Sequence, residues 1–107
     1  MIDPNDAVDF ILKNAKKIAQ AKSDRIFLVE FRKSKKAILM GQSPAKSAVA
    51  REQYAYSHEE YLELIDGLRV AVEVEELLHW QMVAAQARIE IWRTQSANDR
   101  GQDRAMR

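Results

Sequence analysis

The chain has 107 residues, which is short enough for a single domain. Its 47% apolar and 31% charged residues, with two Pro and three Gly, favour amphipathic helices over a turn-rich β architecture. The absence of cysteine excludes disulfides, zinc–thiolate sites and cysteine nucleophiles, and it agrees with a reducing cytoplasm. A formal net charge of +1 hides a strong asymmetry. Between Lys13 and Lys36 stand nine Lys/Arg against two Asp/Glu, whereas Arg51 to Trp80 holds eight acids and two bases. That polarity points either to a basic surface for a polyanion or to basic and acidic faces that pair with each other.

No apolar run approaches the ~18 residues of a membrane span, and Met1-Ile2-Asp3-Pro4 lacks the basic-then-apolar pattern of a signal peptide. A cytoplasmic protein is therefore expected. Asp3-Pro4 starts a helix, with Asp as N-cap and Pro at the first helical position. This first helix is predicted over 4–40, roughly 55 Å at ~1.5 Å per residue. Ile11, Ala15, Ile18, Lys22, Ile26, Val29, Lys33, Ala37 and Met40 predict an eleven-residue repeat. Ile26-Phe27-Leu28-Val29-Glu30-Phe31 also passes for a buried strand, although the unbroken repeat favours helix. As a helix the segment is apolar nearly all round, so Phe27 and Phe31 are expected to be covered by another subunit.

Residues 41–57 form a linker with a short helix of about 45–56, started by Ser43-Pro44. Ser57-His58-Glu59-Glu60 has the form of a capping box with Ser57 as cap, opening a second long helix over 58–97. Its seam is a heptad: Leu64, Leu68, Ala71, Glu75, Leu78, Met82, Ala85, Ile89 and Trp92 alternate steps of four and three. A second stripe through Val70, Val74, Leu77, Ala84 and Ile91 calls for a second partner. Gly67 offers room for a close backbone approach, and residues 98–107 form a polar tail expected to fray. The fold class is thus all-α: two long amphipathic helices joined by a short helical or loop segment, in a coiled-coil-like homo-oligomer. Leu78, Trp80, Met82, Ile89 and Trp92, with Phe27 and Phe31, are the predicted oligomerisation residues. Of the two tryptophans, Trp92 lies on the seam and Trp80 off it.

Catalytic signals are nearly absent, and no enzyme activity, metal or cofactor is expected. His58 and His79 lack a nearby nucleophile, and Glu75, Glu76 and His79 make only half of a helical metal site. The basic cluster carries more. Lys22, Arg25, Arg32, Lys33, Lys35 and Lys36 lie on the first helix, where they could track the phosphates of a strand, and Tyr54, Tyr56 and Tyr61 could stack on bases. The competing explanations are pairing of the cations with the acidic Glu59–Glu76 face and ordinary packing of the tyrosines.

Three fragments carry a family resemblance: Arg32-Lys33-Ser34-Lys35-Lys36-Ala37, Leu68-Arg69-Val70-Ala71-Val72-Glu73-Val74-Glu75-Glu76, and Ala85-Gln86-Ala87-Arg88-Ile89-Glu90-Ile91-Trp92-Arg93, the last followed by Asn98-Asp99-Arg100. With a basic first helix and a Tyr-bearing break, the chain resembles the UvsY-type recombination mediators of tailed phages. The resemblance implies a ring-like homo-oligomer that binds single-stranded DNA in the bacterial host cytosol. It also implies help for a RecA-like recombinase in displacing single-strand-binding protein, with the DNA contacts carried over to Lys33, Lys35 and Lys36. The rival expectation is a structural or regulatory coiled-coil phage protein acting only through protein–protein contacts.

Overall fold

The computed structural model describes residues 3–106, so Met1 and Ile2 of the N-terminal pattern and Arg107 of the tail lie outside the described residues. Every element among the described residues is helical: α1 spans Pro4–Gln42, α2 Ala48–Ser57 and α3 Glu59–Ala105. Ile26–Phe31 is part of α1 and not a strand.

The helix ends show which local signals act. Asp3 Oδ1 accepts the Asn5 N–H at 2.8 Å, so a side chain satisfies one of the orphan donors of the first turn. Pro44 disfavours helical backbone at Ser43, and α1 stops just before it. Ser43 does not cap the next helix: its hydroxyl accepts from Ala45 N–H at 3.1 Å. Ser47 takes that role, accepting from Ala50 N–H at 3.1 Å, so α2 begins later than expected. The expected capping box gives way to a single cap one residue later. Ser57 closes α2, its hydroxyl donating to Gln53 O at 2.8 Å, and His58 Nδ1 accepts the Glu60 N–H at 3.1 Å. At the far end α3 continues to Ala105 instead of fraying from residue 98. No proline interrupts it, and Arg104 in the last turn complements the negative end of the helix.

The expected single domain divides into two compact units, formed among the described residues by 3–18 with 76–106, and by 19–75. In the first unit the shielded positions of α1 include Ala7, Ile11, Asn14 and Ile18, and those of α3 include Leu78, Met82, Ala85 and Ile89. Asn14 is tolerated there because its amide donates to Phe10 O at 2.8 Å. In the second unit the shielded positions of α1 include Ala21, Arg25, Leu28, Arg32, Lys35 and Leu39, and those of α3 include Leu64, Leu68, Ala71 and Glu75. The α1 spacing alternates four and three throughout, as helices packed side by side require. This corrects the eleven-residue repeat: its Ala15, Lys22, Ile26, Lys33 and Ala37 are all exposed. Gly67 has no neighbour within 4 Å of a notional Cβ, so it serves no close approach.

The core of the second unit is small. Leu39 and Ala55 are fully buried with Tyr61 beside them, and Met40 and Ile65 pack around the three. One residue from each helix thus meets at a single point, which sets the positions of the side chains around it.

Candidate nucleic-acid interface

Directly beside that core, Arg32, Lys33, Lys36, Tyr56 and Tyr61 line an open concavity of about 480 Å³. Its construction follows from the helix ends. Arg32, Lys33 and Lys36 fall within one turn and a half of α1. The extended backbone at His58 then turns the chain between Tyr56, near the end of α2, and Tyr61, near the start of α3. The two rings meet edge to face with centroids 5.3 Å apart. Tyr61 is 8% exposed and belongs to the core, whereas Tyr56 is 43% exposed. Tyr54 does not line the concavity; its ring packs on His58 at 5.5 Å.

Electrostatics separate the six predicted cations. Arg25 grips Glu75 with Nε and Nη2, the latter at 3.2 Å from Oε1, and the hydrogen bond raises the guanidinium above its ordinary pKa. Lys35 Nζ lies 2.6 Å from Glu60, whose carboxyl it holds below the ordinary carboxylate range. Lys36 Nζ lies 2.9 Å from Glu52 and 4.6 Å from the centroid of the Tyr56 ring. Contact with Tyr56 first, and with Glu52 second, raises the Lys36 ammonium above the ordinary lysine range. Glu52 is lowered in turn, chiefly by Lys36. Lys33 pairs at 3.2 Å with Glu30 three residues earlier, both side chains about two-thirds exposed. Such pairs hold weakly against water and salt. Arg32 and Lys22 make no ion pair among the described residues; Arg32 faces the concavity, whereas Lys22 is exposed on α1 away from its lining.

The structure therefore gathers Arg32, Lys33 and Lys36 with Tyr56. It leaves Lys22, Arg25 and Lys35 outside the lining, the last two neutralised by acids of α3. The Glu60 and Glu75 partners lie on the acidic Glu59–Glu76 face expected from the sequence. Glu52 lies on α2 before it; the one sequence signal for its role is its i, i+4 spacing from Tyr56.

The predicted oligomerisation residues separate similarly. Leu78, Met82 and Ile89 are part-shielded seam residues within the chain. Trp80 and Phe27 are each 62% exposed, and Phe31 and Trp92 are just past one-third exposed. Phe27 and Phe31 stack with centroids 5.6 Å apart. Leu77, Val70, Val74 and Ile91 of the second stripe are also exposed. Among the described residues no cluster of three metal-ligating side chains occurs, and no helix is long and apolar enough to cross a membrane. No family model matches the chain, and neither a curated protein nor a solved structure matches it.

Proposed function

We propose that the protein is a non-catalytic, homo-oligomeric accessory factor that binds single-stranded nucleic acid. The observation that carries this reading is the meeting of Arg32, Lys33 and Lys36 with Tyr56 in one concavity. Cations that hold phosphates beside an aromatic face that stacks a base suit a single strand, because a duplex hides its base faces. Arg32 takes the place that the sequence resemblance assigned to Lys35, which Glu60 holds elsewhere. Self-association is supported by the exposure of Trp80 and Leu77 on α3 and of Phe27 on α1, large apolar side chains whose surface a second subunit would remove from water. The resemblance to UvsY-type mediators supports the finer reading: loading of a RecA-like recombinase against single-strand-binding protein, in the host cytoplasm of a phage.

A second reading, assembly through helix–helix contacts alone, is favoured by the ion pairs of Arg25, Lys35 and Lys36 with acids of the same chain. One titration separates the two. Wild-type protein is expected to bind an oligothymidylate more tightly than a duplex, with log affinity falling by about 0.7 per phosphate contact for each log unit of salt. Arg32→Glu with Lys33→Glu should abolish binding and leave the mass by light scattering unchanged. Wild-type protein that ignores the oligothymidylate, or a double variant that binds as wild type does, overturns the strand reading in favour of the second.

A further inference from the structure

We propose that Glu52 occupies the phosphate position on Lys36 and acts as an internal competitor that a bound strand must displace. The inference rests on the concavity being a strand site and adds how that site selects its ligand. The Glu52 carboxylate stands 2.9 Å from Lys36 Nζ, the distance at which a phosphate oxygen would sit, and it carries the single negative charge of a phosphodiester. Nearly half of its side chain is exposed, so it can swing into solvent without leaving a buried charge behind. Lys36 keeps its place when Glu52 departs, because the Tyr56 ring lies under Nζ.

The other acids beside these cations cannot play this part. Glu60 holds Lys35, which does not line the concavity. Glu30 meets Lys33 where both are largely in water, and water already screens that pair. Displacement of Glu52 exchanges one anion on Lys36 for another and so contributes little by itself. The gain comes from neighbouring phosphates reaching Arg32 and Lys33 at the same time. Glu52 thereby sets a threshold: a polyanionic strand clears it, and an isolated phosphate does not. The ligand class is a continuous single strand rather than a free nucleotide.

The test is a fluorescence titration of labelled oligothymidylate with wild-type protein, Glu52→Gln and Glu63→Gln, at several salt concentrations. Glu63 is an exposed acid of α3 that, unlike Glu52, pairs with none of the concavity's cations among the described residues, and its variant controls for net charge. Freeing Lys36 should make the log–log salt slope steeper by about 0.7 for each subunit engaged, which tightens binding about fivefold per subunit at 0.1 M salt. Lys36→Gln added to Glu52→Gln should remove that gain. Equal or weaker binding by Glu52→Gln beside a binding wild type overturns the competitor and leaves the strand reading intact. So does an equal gain in Glu63→Gln. Failure of wild type and Glu52→Gln alike to bind at low salt overturns the strand reading itself. Helical content by circular dichroism verifies that each variant is folded.

Discussion

Leu39→Ala tests whether the small three-helix core holds the second unit together. Leu39 has no exposed surface, and it touches Ala55 and Tyr61 with Met40 and Ile65 around it. The change removes three carbons, a transfer loss of about 2.4 kcal/mol at ~0.8 kcal/mol each. Neighbours on three helices cannot all close the gap, since each is fixed by its own backbone. If roughly 40 Å³ of void persists, at ~24 cal/mol per Å³ it adds about 1 kcal/mol. A total of about 3–4 kcal/mol lowers Tm by roughly 12–20 °C in a chain of this size. Thermal unfolding followed by far-ultraviolet circular dichroism measures it, with Val49→Ala as contrast. Val49 is two-thirds exposed, and its truncation should stay within about 0.5 kcal/mol. A Leu39→Ala shift no larger than that of Val49→Ala would refute the assignment of this core. Because Tyr61 belongs to the core and also to the concavity, the same variant should weaken strand binding.

Acid stability follows from Glu52 and Glu60, whose carboxyls are both lowered from 4.5 in the folded chain. The stabilisation by such groups is complete above the unfolded pKa and is lost as pH falls through the folded value, so Tm should be nearly flat from about pH 8 to 5 and fall below about 4.5. Lys35→Gln with Glu60→Gln should shallow that acid limb, and an unchanged limb would show that the pair does not report on folding. Trp80 offers a reading of assembly. In a Trp92→Phe background, quenching of Trp80 by acrylamide should decrease as the protein is concentrated, since the proposed homo-oligomer would cover the ring. Quenching that does not vary with concentration assigns Trp80 to solvent.

Much of the architecture was legible where apolar residues alone mark the contact. The seam of α3 shows in the spacing of Leu64, Leu68, Ala71, Leu78, Met82 and Ile89, since each is a hydrophobe at a heptad position. The seam of α1 was misread because Asn14, Arg25, Arg32 and Lys35 stand at its shielded positions. A search for apolar periodicity passes over them and finds an accidental stripe instead. The helix starts at 48 and 59 were displaced for a related reason. Several neighbouring residues could serve as caps, and Ser47 and His58 take that role in place of Ser43 and Ser57. The concavity was half visible. The cations and tyrosines could be named, but which cations were already neutralised depends on contacts between residues 16 to 50 positions apart.

Long helices with repetitive seams face a degeneracy during folding: sliding one past the other by seven residues leaves apolar side chains against apolar side chains. The contact between Arg25 and Glu75 removes it. A slip of one heptad would set Arg25 against Leu68 or Met82, stranding a guanidinium on hydrocarbon. Alternative alignments are thus raised in free energy whether or not the native one is lowered. That pair, with Lys35 on Glu60 further along, works as a vernier mark, and it keeps α1 aligned so that Arg32, Lys33 and Lys36 arrive opposite the tyrosines.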